Sequence, residues 1–232
     1  MSGRTEELAA NLASLRSRID AARAAAGRTD QVTLVAITKT FPAEDVRRLA
    51  GLGIEQVGEN RHQEAVAKAA ALADLGLRWH FVGQLQRNKA RAVASYADVV
   101  QSLDRESLVT ALDRAAAERG RALRVLVQVD LRDHEGDGRG GARPEQVGAL
   151  ADLVAGSAAL ELAGVMAVAP LGQDPAPAFA RLWEVSVRLR RDHPGAGWVS
   201  AGMSQDLEAA VAAGATHLRI GSALLGHRPP LR

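Results

Sequence analysis

The chain has 232 residues, of which 47% are hydrophobic and 24% charged, and its formal net charge is +2. This composition is typical of a soluble globular protein, and the length fits a single α/β barrel. The lack of cysteine excludes disulfides and thiolate metal sites, and the absence of a Lys/Arg block argues against a nucleic-acid surface.

The amino-terminal stretch predicts an amphipathic helix over residues 5–26, with Gly27 as its stop. Four apolar residues recur at spacings of four and three, namely Leu8, Leu12, Leu15 and Ile19. The stripe is too short for a coiled-coil seam, so we expect the helix to pack on a larger body. Its charges exclude a secretory signal, and no run is long enough to span a membrane. These features predict a cytoplasmic protein without membrane contact.

Strand and helix patterns alternate through the rest of the chain. The predicted strands are 32–37, 54–57, 78–82, 98–102, 123–129, 160–168, 198–200 and 217–220. The predicted helices are 42–50, 61–75, 87–94, 105–119, 144–154, 178–192, 205–213 and 222–225. Eight strand–helix units predict an α/β fold, a single (β/α)8 TIM barrel with an additional N-terminal helix, as one domain over 1–232. The runner-up, an open doubly wound sheet, would show a glycine-rich turn where this chain has ITKTFP.

Lys39 follows the first predicted strand, where α/β barrels place their ligands, and Pro42 fits the first position of the next helix. Lysine occurs at only three positions, Lys39, Lys68 and Lys89, whereas arginine supplies nearly all of the positive charge. Only lysine has an amine that can lose its proton and form a Schiff base. Lys39 is therefore either a reactive lysine or a surface lysine at a strand-to-helix corner.

The ends of the last two strands predict a phosphate site. The GMS sequence at 202–204 leads into a helix, with Ser204 at the N-cap and Asp206 in the first turn, and Gly221-Ser222 leads into another. Two helix starts with hydroxyls and backbone N–H groups favour an anion, and phosphate sites in these barrels follow strands seven and eight. In the alternative interpretation, Ser204 only caps its helix and Gly221 only makes a turn.

Arg219 lies within an apolar strand, where a charge is costly unless it is paired or used. It either pairs with an acid across the barrel or points at a ligand. A Schiff-base lysine, a phosphate site and a strand-borne cation together suggest pyridoxal 5′-phosphate, which has an aldehyde, a phosphate and a ring nitrogen. His80 and Glu59 are weaker candidates, as a core histidine and as the expected partner of a neighbouring arginine. No metal site is predicted, because no cluster has metal-ligand spacing.

Six motifs together resemble the pyridoxal phosphate homeostasis protein family, which is related to the barrel domain of alanine racemase. They are VAITKTFP at 35–42, GEN at 58–60, WHFVGQLQRNK at 79–89, GVMAVAP at 164–170, GMSQDLEAA at 202–210 and RIGSALLG at 219–226. The resemblance covers essentially the whole chain and implies one barrel that holds pyridoxal phosphate as a Schiff base on Lys39. It implies a role in cofactor storage or delivery, with apo-forms of pyridoxal phosphate enzymes as partners.

The resemblance also implies the remaining cofactor contacts. Asn60 would lie beside the ring, and Arg219 would face the ring nitrogen. The phosphate would be held by Ser204, Gly221 and Ser222.

The chain departs from the family around the loop after strand five, which contains HEGDGRGG. Asp130 stands where the family often has Asn, and Arg139-Gly140-Gly141 stands in place of Lys-Ser-Gly. Gln84 stands where many members have Pro. These differences put the contacts of the loop in doubt, but not the cofactor site.

An arginine beside the ring nitrogen disfavours its protonation, which makes the ring a poorer electron sink and favours a carrier. The racemases use a tyrosine from a second domain as second base, whereas the only tyrosine here, Tyr96, is predicted before strand four. We therefore expect a carrier without catalytic residues. The alternatives are a low-activity pyridoxal phosphate-dependent amino acid racemase and a Schiff-base aldolase acting on a phosphorylated sugar. Because no second apolar stripe calls for a partner, we expect a monomer.

Overall fold

Eight parallel strands pair in chain order and close into a barrel, in a computed structural model that describes residues 2–132 and 140–226. The strands are β1 (Thr33–Ile37), β2 (Gln56–Glu59), β3 (Arg78–Phe81), β4 (Val99–Leu103), β5 (Leu123–Gln128), β6 (Leu160–Met166), β7 (Trp198–Ser200) and β8 (His217–Ile220). The predicted TIM barrel is thereby confirmed. Arg139 and most of the HEGDGRGG loop lie outside the described residues.

The helices alternate with the strands, apart from the first, which precedes β1. They are α1 (Ser2–Ala25), α2 (Ala43–Gly51), α3 (His62–Ala71), α4 (Ala90–Ala94), α5 (Glu106–Arg119), α6 (Val147–Ala155), α7 (Pro175–Asp192), α8 (Leu207–Ala212) and α9 (Ser222–Leu225). Short 3-10 helices follow α3 and precede α4 and α6. Within residues 2–132 and 140–226, none of these helices is both long and apolar enough to cross a membrane.

α1 packs along the barrel where its two ends meet, in contact with α2, α8 and α9. The four residues of its predicted apolar stripe are buried. At its amino end, Arg4 Nη2 donates to Asp45 Oδ2 over 2.8 Å and to the carbonyl of Leu225 over 2.9 Å. The expectation of a helix packed on a larger body is confirmed, and α1 covers the seam between β8 and β1.

Most helix starts differ from the sequence-based assignment by one to three residues, and two of these differences have a clear local cause. Pro42 is the N-cap of α2 and not its first residue, because its extended backbone, with ψ of 158°, lies outside the helix. α7 begins at Pro175, three residues earlier than predicted, because the Asp174 side chain accepts a hydrogen bond from the N–H of Ala176. An acidic N-cap followed by proline is a helix start signal that the sequence already contained.

The inner face of the barrel is divided between apolar and polar side chains. One side holds a separate apolar cluster, consisting of Val99, Leu126, Ala163, Met166 and Trp198. Another part holds buried polar residues, including His80, Gln101, Ser200 and Arg219. Because side chains alternate along each strand, the larger apolar core lies on the outer face, between the strands and the helices.

Candidate functional site

A cavity of about 960 Å³ opens at the carboxyl ends of the strands. This size is typical of a small-molecule site. The cavity is lined by all six residues predicted to bind a cofactor, namely Lys39, Asn60, Ser204, Arg219, Gly221 and Ser222. Apolar side chains such as Ile37, Phe41 and Met203 complete the wall. The structure therefore brings the six predicted residues together, while their individual roles stay predictions.

Lys39 enters the cavity from a tight turn that follows β1. The carbonyl of Thr38 accepts a hydrogen bond from the N–H of Phe41 over 3.1 Å, which closes a four-residue turn with Lys39 in second place. Of the three lysines in the chain, Lys39 is the one that lines the cavity. Lys89 belongs to the 3-10 helix before α4, and Lys68 is buried in α3.

Lys68 is fully engaged by acceptors behind β1 and β2. Its Nζ lies 2.7 Å from Glu59 Oε1, 2.9 Å from Glu64 Oε1 and 2.7 Å from the carbonyl of Thr38. Three acceptors match the three N–H donors of an ammonium group. The prediction that Glu59 pairs with an arginine is wrong, since its partner is this lysine. Burial raises the pKa of Glu59, and the hydrogen bond from Lys68 opposes that rise.

Arg219 reaches the cavity from inside β8 and is buried. Its Nη1 donates to Ser200 Oγ over 2.8 Å, and its Nη2 donates to the carbonyl of Ala167 over 2.7 Å. Burial lowers the pKa of Arg219 to about 10, against an opposing effect of Asp206, so the side chain is still a cation at neutral pH. Within the described residues it forms no ion pair, which argues against the cross-barrel salt bridge.

A chain of hydrogen bonds extends from Arg219 across the barrel interior. Ser200 Oγ donates to Gln101 Oε1 over 2.7 Å. Gln101 Nε2 lies 2.8 Å from His80 Nδ1, and His80 Nε2 lies 2.8 Å from Gln56 Oε1. Arginine can only donate hydrogen bonds, so Ser200 accepts from Arg219 and donates to Gln101. Gln101 in turn donates from Nε2 to His80 Nδ1. A neutral His80 therefore carries its proton on Nε2 and donates it to Gln56. Burial lowers the pKa of His80 to about 3, in keeping with that neutral state.

The sequence analysis predicts only one part of this hydrogen-bonded chain, namely that His80 is a core histidine. Its signal was a set of polar residues inside otherwise apolar strands, such as Gln101 in β4, whose five residues are all buried. Their partners come from β2, β3 and β7, so only the barrel register shows which of them meet.

The phosphate end of the predicted site joins the loop after β7 to α9. Ser204 Oγ accepts a hydrogen bond from the N–H of Ala223 over 3.1 Å. The assignment of Ser204 as N-cap of α8 is wrong, because Asp206 holds that position. A Cβ added at Gly221 would lie 3.5 Å from the Ile37 carbonyl, which is ordinary contact. The fold itself therefore does not require glycine at this cavity-lining position.

Asn60 lies on the cavity wall just after β2, next to the loop that follows β3. A Cβ at Gly83 would stand 2.2 Å from the carbonyl oxygen of Asn60, which is impossible without a backbone shift. The glycine at 83 lets these two loops pack together, and this packing fixes the position of Asn60.

The family departures that the structure describes lie outside the cavity lining. Asp130 is paired with Arg132 at 2.7 Å, which lowers the pKa of the Asp130 carboxyl. The N–H of Gly141 donates to Asp104 Oδ2 over 3.2 Å. A Cβ at Gly140 would lie 3.4 Å from Gln84 Nε2, so two of the substituted positions are neighbours.

Tyr96 lies between α4 and β4, at the end of the barrel opposite the cavity, and does not line it. Burial raises the pKa of Tyr96, with Glu59 as a second cause, so its hydroxyl keeps its proton. It is the only tyrosine in the chain. Among the described residues that line the cavity, the one carboxylate is Asp206, whose Oδ1 accepts a hydrogen bond from the N–H of Met203 over 2.5 Å.

Known proteins with similar sequences and structures show which class of protein this chain belongs to. The family model "Alanine racemase, N-terminal domain" matches residues 10–229. A pyridoxal phosphate homeostasis protein of Mycobacterium bovis is 47% identical, over 97% of this chain and 94% of the relative. One of Escherichia coli K12 is 37% identical, over 96% and 97%. The structure of PipY from Synechococcus elongatus with bound PLP has a TM-score of 0.83 and 36% identity, over 94% of this chain and 100% of PipY.

The fold and the sequence thus define an alanine racemase-type barrel. Because relatives well above 30% identity align over nearly their whole length, the chain belongs to the pyridoxal phosphate homeostasis protein family.

Proposed function

We propose that the cavity binds pyridoxal 5′-phosphate and that the Lys39 amine condenses with its aldehyde, forming a Schiff base and releasing one water. The observation that carries this proposal is that Lys39 alone of the three lysines lines the cavity, together with the Arg219 cation. The bound PLP in the PipY structure supports it. When bound, the cofactor supplies an electrophilic aldehyde carbon and an anionic phosphate.

The residues of the cavity fit this group at three points. Lys39 offers an amine at one side, and the hydroxyls of Ser204 and Ser222 border the start of α9. Gly221 adds no side chain there, so a phosphate can approach the backbone. Arg219 supplies a fixed positive charge deeper in the barrel, which disfavours protonation of a ring nitrogen beside it. Asn60 borders the same space and would lie beside the ring.

We infer that the biological role is pyridoxal phosphate homeostasis, in which one domain over 1–232 holds the cofactor and delivers it to apo-forms of pyridoxal phosphate enzymes. The names of the relatives support this role. The position of Tyr96, away from the cavity, favours a carrier over an amino acid racemase. Monomeric state and cytoplasmic location stay predictions.

The site is tested by the absorbance spectrum of protein mixed with pyridoxal phosphate. We expect a visible band in the wild type and in Lys89→Ala, a control that removes a lysine outside the cavity. Lys39→Ala should lose the band. A band of equal strength in Lys39→Ala would contradict the assignment of the lysine, and no band in the wild type would contradict the proposal itself.

The carrier is separated from the racemase by incubating the loaded protein with D- or L-alanine and measuring optical inversion. A carrier should show no sustained inversion, because the cavity lacks a tyrosine as second base. Transfer is tested by adding an apo pyridoxal phosphate enzyme and following its recovered activity. Robust inversion would favour the racemase, and failure to activate the apo-enzyme would contradict delivery.

A further inference from the structure

The turn that carries Lys39 contains a strained residue. Thr40 has a φ of +71° and is the one non-glycine residue with positive φ in the part of the chain that the structure describes. This region is unfavourable for L-residues and especially for a β-branched one. Third place in a four-residue turn with positive φ normally belongs to glycine or asparagine. A strained residue next to the proposed reactive lysine therefore needs an external restraint.

That restraint is a group of three charged residues on the outer side of β1 and β2, of which Lys68 and Glu59 are buried and Glu64 is partly exposed. The N–H of Thr40 donates to Glu64 Oε1 over 2.7 Å. Lys68 Nζ donates to the same oxygen over 2.9 Å and to the carbonyl of Thr38 over 2.7 Å. The Lys68 ammonium thus binds the first residue of the turn, Thr38, directly. It binds the third residue, Thr40, indirectly through Glu64.

Glu59 adds a second connection to the start of the turn. Its Oε1 accepts from Thr38 Oγ1 over 2.6 Å and from Lys68 Nζ over 2.7 Å. Glu59 has no exposed surface and Lys68 is only 6% exposed. Burying a carboxylate and an ammonium costs desolvation that apolar residues would avoid, so such a pair is weak evidence for stability alone. Its contacts with the turn give it another role.

We propose that Lys68, Glu59 and Glu64 form a clamp that holds the 38–41 turn in its strained form and so directs the Lys39 amine into the cavity. The three are positioning residues, since Lys68 has all of its donors engaged and Lys39 is the residue that reacts. This inference rests on the proposed function and adds a device that sets the reactivity of Lys39. It requires the turn to relax when the clamp is removed.

The first test measures the rate at which the visible band forms after pyridoxal phosphate is added. Lys68→Met keeps most of the length of the side chain and removes its three donors. We expect about tenfold slower formation or more, because small misplacements of a reacting group are costly. Lys89→Met is the matched control and should react like the wild type.

The second test asks whether removal of the strain makes the clamp unnecessary. Glycine accepts positive φ freely, so Thr40→Gly alone should react at the wild-type rate. Added to Lys68→Met, Thr40→Gly should restore most of the lost rate, although Glu59 and Glu64 still lack their cation. A role of Lys68 in general stability predicts no such rescue. A double variant as slow as Lys68→Met would overturn the clamp.

The third test needs no cofactor. Hydrogen exchange of the Thr40 amide should be slow in the wild type and at least about tenfold faster in Lys68→Met, because an amide exchanges when its hydrogen bond opens. Glu64→Ala removes the acceptor at a site whose side chain is 27% exposed, and it serves if Lys68→Met does not fold. Unchanged exchange in the folded variants would contradict the clamp. No band in the wild type would contradict the proposed function alone, while exchange would still decide on the clamp.

Discussion

Two buried cations lie on opposite faces of the barrel wall and are stabilised in different ways. Lys68, on the outer face, contacts two carboxylates, with Nζ–Oε1 distances of 2.7 and 2.9 Å. Arg219, on the inner face, contacts a hydroxyl and a carbonyl. The charge of Lys68 is compensated by two carboxylates, whereas the acceptors at hydrogen-bond distance from Arg219 are neutral among the residues that the structure describes.

The different partners of Lys68 and Arg219 indicate different roles for the two cations. A cation that is paired with carboxylates can hold the backbone in place, but its charge and its hydrogen-bond donors are not available to a ligand. A charge that the fold holds with neutral groups keeps its field for the cavity that it lines. The outer region, formed by Lys68, Glu59 and Glu64, contacts the turn that carries Lys39. The inner region, formed by Arg219 and the polar side chains inside the barrel, includes a cation that lines the cavity.

The largest effect is expected from the outer region. Lys68→Met leaves two carboxylates without their cation, one of them fully buried, and should lower the free energy of unfolding by about 3–5 kcal/mol. Urea denaturation of the cofactor-free protein measures this loss. Adding Glu59→Gln should recover part of it. A loss below about 1 kcal/mol would show that Lys68 is not essential to that region.

Acid should weaken the inner region. Burial lowers the pKa of His80 to about 3 and of His217 to about 4, both below the ordinary 6.5. Their stabilising contribution is therefore complete above about pH 6.5 and falls as pH drops toward these values, because only the unfolded chain takes up the protons.

One pH unit below 6.5, each histidine should lower the free energy of unfolding by about 1.4 kcal/mol, and the two together should lower it by about 3 kcal/mol. Urea unfolding across this range measures the slope, which His217→Gln should halve. A flat profile between about pH 6.5 and 5.5 would contradict the buried neutral histidines.

Arg219→Met should change stability by only about 1 kcal/mol. The variant leaves Ser200 Oγ and the Ala167 carbonyl without a donor, but it also removes a buried charge that has no ion-pair partner among the described residues. The affinity for pyridoxal phosphate should fall by about tenfold or more. Denaturation and absorbance titration measure the two effects. A stability loss equal to that of Lys68→Met would remove the distinction between the two cations.

The smallest loss in the free energy of unfolding is expected from an exposed ion pair, which serves as the reference for the buried groups. Arg18 on α1 and Glu208 on α8 approach to 2.8 Å, with side chains 38% and 52% exposed. Glu208→Ala should cost less than about 1 kcal/mol, and added salt should reduce even that. A cost near that of Lys68→Met, measured by the same denaturation, would show that burial does not set the scale.

The sequence was sufficient to predict the barrel fold and six residues that line the cavity. Alternating strand and helix patterns predict a parallel barrel, and the carboxyl ends of its strands must meet at one mouth. The sequence alone therefore places Lys39 and Arg219 at the same mouth. The start of α7 was also predictable, because Asp174-Pro175 is an acidic N-cap followed by proline.

The interactions behind the site could not be predicted in the same way. Glu59 was expected to pair with an arginine, the commoner cation, but its position on the outer face of β2 brings it to Lys68. The contact between Gln101 and Ser200 joins residues 99 positions apart, through strands that are not neighbours. Such contacts depend on register and tilt, which hydrophobic periodicity does not specify.

We expect that Lys39 alone among the three lysines reacts with the cofactor. Borohydride reduction of the loaded wild-type protein, followed by mass spectrometry of its peptides, locates the attached lysine directly. We predict a single pyridoxyl phosphate adduct on Lys39, with Lys68 and Lys89 unmodified. An adduct on Lys68 or Lys89 in place of Lys39, or no adduct at all, would show that Lys39 does not bind the cofactor covalently.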